Sequence, residues 1–316
     1  MENINNSERK AFLVHSDNYS NWIFDPTHPT QGRRFINARD QFAAHMTLAG
    51  EPFVEEAPRL ATREELLKVH SPSYIEKVVD KHRSGEWAGE RAELAELAST
   101  FVGGTLVALD ALITKGARTA IHFPGAKHHA QWDHSSGFCV FNDFAIASDI
   151  ATKQYGLKVA ILDIDAHHGD GTENLTADNP NVLTFSIHES GIFPGTGKED
   201  HPEDLVFNHP LHTDPYGEDR GSDDSALMTG VNRFITLAQT FKPDLVFIAC
   251  GADGHLEDPL TNLEYSVAGY VAVAHKVRDT FPKMPILMGG AGGYLPDTRT
   301  PEIWAAFARE LVLASH

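Results

Sequence analysis

Val159-Ala160-Ile161-Leu162-Asp163-Ile164-Asp165-Ala166-His167-His168-Gly169-Asp170-Gly171 joins an unbroken apolar run to a run of charged groups at every second position. A strand covered on both faces reads as a continuous apolar stretch, so 159–162 predicts an interior strand of a parallel sheet. On extended chain, residues two apart face the same side. Asp163, Asp165 and His167 can therefore project together beyond the strand end. A carboxylate and an imidazole two residues apart make a partial metal site, and three protein ligands with an open position is the catalytic zinc pattern. Gly169 and Gly171 permit the tight turn that follows. The competing reading is helix capping by Asp163 or Asp170 with surface histidines. Charges at every second position directly after a buried strand argue against it.

Working outward, strand-like runs fall over 11–14, 119–123, 182–187, 245–249 and 286–288, beside 159–163. Helical patterns fall over 35–48, 62–69, 73–81, 92–113, 143–155, 225–240, 266–280 and 301–314. Strands alternating with helices predict an α/β fold with three layers, α/β/α, around a mostly parallel central sheet. No repeat or Gly/Ser linker divides the chain, so 1–316 reads as one domain. Stretches 19–33, 83–91 and 189–225 read as long loops, rich in Gly, Pro, His and acidic residues. Such loops usually build the site of an α/β domain.

The 316 residues are 41% apolar, enough for a sizeable core. With 44 acidic and 26 basic residues the formal net charge is -18. That argues against a nucleic-acid binder. It would attract a cationic substrate, although acidity for solubility alone is common. The start, Met1-Glu2-Asn3-Ile4-Asn5-Asn6, lacks the apolar core of a signal peptide. No window approaches eighteen consecutive apolar residues, so no membrane span is expected. The two cysteines, Cys139 and Cys250, lie in apolar runs and suit reduced thiols in the cytoplasm.

Three more polar clusters follow apolar strands. In open parallel sheets the site lies beyond the carboxyl ends of the strands, so clusters far apart in sequence can meet there. Cys250-Gly251-Ala252-Asp253-Gly254-His255 offers Asp253 as a third metal ligand; alone, such an Asp is as readily a helix cap. Lys127-His128-His129-Ala130 offers two imidazoles, and Asp163 and Asp170 are available to orient them as general base and acid. Gly289-Gly290-Ala291-Gly292-Gly293-Tyr294 lacks the Lys-Ser/Thr of a phosphate loop. Its glycines instead let backbone pass a crowded site, and Tyr294 is placed to donate its phenol proton to an oxyanion.

Taken in order, these residues resemble the histone deacetylase superfamily of zinc amidohydrolases, which includes bacterial acetoin-utilisation deacetylase-like proteins and acetylpolyamine amidohydrolases. The likeness runs from His28-Pro29 to Tyr294. It also rests on Gly137-Phe138-Cys139, Asn142-Asp143, Phe193-Pro194-Gly195-Thr196-Gly197 and Asp258-Pro259-Leu260. The resemblance implies an arginase/deacetylase-type fold and hydrolysis of an N-acetyl or short acyl amide, on acetyl-lysine or an acetylated small amine such as a polyamine. It implies one zinc on Asp165, His167 and Asp253. His128 paired with Asp163 would be the general base, His129 paired with Asp170 the acid, and Tyr294 the oxyanion donor. Gly137, Phe138 and Phe193 would line the acyl-lysine tunnel. Oxygens of Asp163, Asp165, His167, Ser186 and Ile187 resemble a structural potassium site. Arg34 matches an arginine of an internal product-release channel.

Three positions depart from the family pattern. Lys127 stands where Gly is usual before the histidine pair. Ile192 stands where many relatives carry an aromatic residue. The loop Ser84-Gly85-Glu86-Trp87-Ala88-Gly89-Glu90 is short, and Glu86 or Glu90 would have to grip the substrate backbone. Two rival functions remain: an arginase-like ureohydrolase, which needs an Asp-x-Asp where this chain has Asp253-Gly254-His255, and a non-catalytic acyl-lysine binding protein. A homo-oligomer is possible.

Overall fold

The computed structural model describes residues 11–213 and 222–314. Its centre is an eight-stranded sheet: β1 (Ala11–Val14), β2 (Val54–Glu56), β3 (Thr119–His122), β4 (Val159–Asp163), β5 (Val182–Glu189), β6 (Val206–Leu211), β7 (Leu245–Ala249) and β8 (Ile286–Gly289). The order is β2-β1-β3-β8-β7-β4-β5-β6, and every pairing is parallel.

β4 is buried along its whole length, as its apolar run implies. In register, Ile161 lies beside Thr184 and Phe247, and Leu162 beside Phe185 and Ile248. Burying an Ile or Leu side chain of this kind stabilises by about 1.5–3 kcal/mol. Truncating fully buried Leu162 to Ala would cost about 2–5 kcal/mol, because close packing leaves a cavity.

Two helix layers cover the sheet. α1 (Arg33–Ala49), α7 (Asp224–Phe241), α8 (Val267–Thr280) and α9 (Arg299–Leu313) pack in the sequence α1-α9-α8-α7. α4 (Ala92–Ile113), α5 (Asp143–Tyr155) and α6 (Asp170–Thr176) form the other layer. Short α2 (Arg63–Leu66) and α3 (Pro72–Ile75) precede α4. Local chemistry sets the ends. Asn142 caps α5 by accepting the Ala145 N–H, and Gly156 ends it with φ +67°. Thr62 and Glu65 close a capping box on α2. α4 is long and apolar enough by composition to cross a membrane. Here its apolar residues pack against β1, β3, β8 and α5, so it serves as a core helix.

The structure corrects several expected elements. β2 and β6 were not anticipated, and β6 lies inside the stretch 189–225 read as loop. Residues 214–221 of that stretch fall outside the described residues. α6 begins at Asp170, where only a turn was expected. The expected helix 73–81 is α3 running into a π-helical turn, Glu76–Asp80. Part of the loop 19–33 is the end of a 3-10 turn, Asp17–Asn21.

Candidate metal centre and active site

The four polar clusters follow β3, β8, β7 and β4, which are neighbours in the middle of the sheet. Their carboxyl ends therefore deliver all four clusters to one place. The β3 cluster is held by Asp143, at the start of α5: its Oδ1 accepts the Lys127 N–H at 2.7 Å and its Oδ2 the Ala126 N–H at 3.0 Å.

Asp165, His167 and Asp253 converge, with one ligand atom from each within 4.8 Å of the others and all three residues buried. His167 Nδ1 lies 2.9 Å from Asp253 Oδ2 and 3.2 Å from Asp165 Oδ1. Backbone N–H groups pin both carboxylates: Gly292 donates to Asp165 Oδ2 at 2.6 Å and Ala166 to Asp253 Oδ1 at 3.1 Å. A Cβ on Gly292 would fall within 3.0 Å of both carboxylates, so glycine is required for this approach.

Burial opposes a charge on His167, yet its hydrogen bonds to Asp165 and Asp253 outweigh that and raise its pKa to about 11. Burial and then the charge of Asp165 push the Asp253 carboxyl up. Two buried carboxylates pressed together and clutching any available cation fit a bound divalent ion, and the mixed N/O donor set suits zinc. Among the described residues no other such group of donors occurs. His255, buried nearby in sequence, turns its Nδ1 to the Glu257 N–H instead.

Asp163 does not join the trio, although alternation allows it to. Its Oδ2 accepts from His128 Nδ1 at 2.7 Å, and its Oδ1 accepts the Asp165 N–H at 3.0 Å. His128 Nε2 then points toward Asp165 Oδ1, 3.8 Å away. His129 Nδ1 pairs with Asp170 Oδ1 at 2.7 Å, and Gln131 donates to the other Asp170 oxygen at 2.8 Å. The two imidazoles, 4.0 Å apart, are driven in opposite directions. Burial opposes the charged form of His128, but Asp163 and Asp165 raise it to about 9. Burial and the charge of His128 lower His129 to about 4. With no cation on Asp165, a proton therefore rests on His128 in preference to His129; a divalent ion held by Asp165 would oppose the charged form of His128 and favour its neutral, proton-accepting form.

A pocket of about 390 Å³ opens onto this centre, lined by His129, Gly137, Phe138, His167, Ile192, Phe193, Leu260 and Tyr294. Phe193 stands edge-on to His129 at 5.0 Å, and Phe138 edge-on to Tyr294 at 6.0 Å. Gly137 has φ +53°, and a Cβ there would strike the His129 ring. The Tyr294 N–H is held by Asp258 Oδ2 at 2.9 Å, and burial pushes its phenol well above the ordinary value.

Residues 28–311 match the profile of the histone deacetylase domain, nearly the whole chain. The chain belongs to the histone deacetylase family. It is 32% identical over 320 residues to the acetoin utilization protein AcuC of Staphylococcus aureus, covering 94% of this chain and 80% of that protein. To AcuC of Bacillus subtilis it is 33% identical over 327 residues, covering 96% and 82%. Among solved structures, the HDA15 HD domain superposes with a TM-score of 0.80 at 23% identity, over 96% of this chain and 89% of that one. This last likeness concerns the fold.

Within this family frame, three observations go beyond the sequence reading. Leu260 lines the pocket without having been singled out for it. Glu86 and Glu90 are both engaged: Glu86 Oε2 accepts the Phe138 N–H at 2.9 Å, and Glu90 pairs with Arg83 at the surface. No sequence signal links Glu86 to Phe138. Asp163 and Ser186 lie side by side in the β4–β5 register and line a small cavity, while Ser186 Oγ is bonded to His188 Nδ1 at 2.9 Å. Asp165, His167 and Ile187 do not line that cavity.

Proposed function

We propose that the protein is a zinc-dependent hydrolase of N-acetyl or short acyl amides, acting on acetyl-lysine or on an acetylated small amine such as a polyamine, and releasing an acid and a free amine. The observation that carries this reading is the convergence of the Asp165–His167–Asp253 donors with two His–Asp pairs at the floor of one pocket. Zinc on that trio supplies Lewis-acid activation of the amide carbonyl and of a water.

The chain's own groups do the rest. His128, its Nδ1 held by Asp163, accepts the water proton at Nε2. Tyr294 donates its phenol proton in a hydrogen bond to the oxyanion as charge develops there. His129, its Nδ1 held by Asp170, delivers a proton to the leaving amine. Phe138 and Phe193 flank the acyl chain and keep water from it, and Gly137 leaves room for it. The same reading keeps a structural potassium ion on oxygens of Asp163, Asp165, His167, Ser186 and Ile187, supported by the Asp163–Ser186 register. The buried free thiols of Cys139 and Cys250 favour a cytoplasmic location.

The test is hydrolysis of a fluorogenic acetyl-lysine peptide, N-acetylputrescine and N-acetylspermidine by wild type and Tyr294→Phe. The wild type turns over at least one of them, and the variant loses about 10²–10³ in kcat, the usual worth of one oxyanion donor. Full activity in the variant would sink the role of Tyr294. Binding without turnover in the wild type would favour an acyl-lysine binding protein.

A further inference from the structure

Behind the loop that carries His128 and His129 runs a buried polar chain drawn from four elements. Tyr19 comes from the 3-10 turn Asp17–Asn21, Thr105 from α4, His122 from the end of β3 and Asp143 from the start of α5. All four residues are fully enclosed. Tyr19 Oη lies 3.0 Å from His122 Nε2, Thr105 Oγ1 lies 2.9 Å from His122 Nδ1, and the same Oγ1 lies 2.5 Å from Asp143 Oδ2. The chain ends where Asp143 accepts the Ala126 and Lys127 N–H groups.

Hydrogen-bond chemistry gives this chain one direction. Asp143 faces two N–H groups and a hydroxyl, which suits an ionised carboxylate that only accepts. Thr105 therefore spends its single proton on Asp143, and the 2.5 Å separation is that of a charge-assisted bond. Its oxygen must then accept from His122 Nδ1. Burial, and next the charge of Lys127, lower His122 to about 3, so its ring is neutral and holds one proton. With that proton on Nδ1, Nε2 is bare and accepts the Tyr19 hydroxyl.

The backbone is shaped around this chain at both ends. Gly104 lies inside α4, where glycine costs helix stability. A Cβ there would fall 2.4 Å from His122 Nε2 and 3.0 Å from Tyr19 Oη, so the seat of His122 requires it. Ala126 has φ +64°, a conformation that a residue with a side chain seldom holds without support. The support is Asp143, which grips the Ala126 N–H and the next one. His128 and His129 follow directly along the chain.

We propose that Thr105, His122 and Tyr19 are positioning residues: a one-way chain through the Nδ1–H tautomer of His122 aims Asp143 at the Ala126–Lys127 backbone and so fixes where the His128 and His129 imidazoles stand beside the metal donors. The three line neither the substrate pocket nor the metal trio, and they act through the loop. Misplacing a reacting group lowers kcat while leaving the contacts that bind substrate in place. The inference rests on the hydrolase reading for its kinetic readout, and on geometry alone for the rest.

The experiment uses the zinc-loaded protein, isotope-labelled at its histidine nitrogens, with Thr105→Val, Thr105→Ser and Tyr19→Phe. Imidazole NMR reads the His122 tautomer, its signal assigned by its loss in His122→Asn. Steady-state kinetics on the acyl-lysine peptide separate kcat from KM, and zinc content and thermal unfolding confirm loaded, folded variants. Wild-type His122 should show a protonated Nδ1 and a bare Nε2. Thr105→Val keeps the side-chain shape but cuts the chain; it should lower kcat at least about tenfold with KM within about twofold of wild type, and move the His128 and His129 ring signals. Thr105→Ser should restore both, and Tyr19→Phe, at the remote end, should lower kcat about threefold. A proton on Nε2 of wild-type His122 overturns the proposal. So does kcat within about twofold of wild type in folded, zinc-loaded Thr105→Val, or a loss that Thr105→Ser does not repair. If Thr105→Val fails to fold, Tyr19→Phe stands in for it, and wild-type kcat there is the overturning result. A wild type inert towards every amide would sink the hydrolase reading; the His122 tautomer and the His128 and His129 signals in Thr105→Val then decide the inference, and unmoved signals overturn it.

Discussion

Glu86 Oε2 accepts the Phe138 N–H at 2.9 Å, tying together segments 52 residues apart. Phe138 has φ +65°, a conformation uncommon outside glycine, and it follows Gly137, which is also left-handed. The Glu86 carboxyl is half-buried, and burial raises its pKa. Ser135 stands beside it and also donates to it. The short acidic loop thus holds a pocket wall in place.

Glu86→Ala should therefore loosen the Phe138 wall without touching the reacting groups. A lost hydrogen bond to a charged acceptor is worth about 1.5–3 kcal/mol. We expect KM for an acyl-lysine peptide to rise about tenfold with kcat within about twofold of wild type. Steady-state kinetics check this, and an unchanged KM would show that the contact does not position the wall.

Gly292→Ala should displace the loop that donates to Asp165. Its Cβ would fall within 3.0 Å of carboxylate oxygens on both Asp165 and Asp253. We expect zinc content, measured by mass spectrometry, to fall well below that of wild type, with activity falling in parallel. Undiminished zinc in the variant would contradict the packing of these carboxylates against Gly292.

The interior also makes stability depend on pH away from the metal centre. His70 donates through Nδ1 to the Gln131 carbonyl and accepts the Asn142 N–H at Nε2, so it is held neutral. Burial lowers its pKa to about 4. The folded chain then declines a proton that the unfolded chain accepts below about 6.5. The contribution is intact above that pH and is lost as the pH falls toward 4. Urea midpoints should drop over this window, and the slope should be shallower in His70→Gln by up to one proton. An equal slope in both proteins would rule out His70 as a contributor.

Much of this was legible because physics repeats locally. The run 159–162 is apolar at every position and lies in the middle of the sheet, and β4 and β7 match their expected bounds. Both unanticipated strands are edges. β2 has three residues, two of them Glu, and β6 mixes Asn208, His209 and Pro210 into its run, as edge strands tolerate. α6 has seven residues and includes Gly171, too little for a periodic signal. At the site, Asp165 and His167 follow from alternation, whereas the turning of Asp163 toward His128 depends on where β3 lies relative to β4. The Glu86–Phe138 contact depends on tertiary approach and has no local signature.

The most direct test is acetate release, followed by NMR, from acetyl-lysine peptide and acetylated polyamines before and after zinc is removed by a chelator. The proposed chemistry requires release by the zinc-loaded protein from at least one of these substrates, its loss on chelation and its return with added zinc. Release that survives complete chelation, or none from any of them by fully loaded protein, would contradict it.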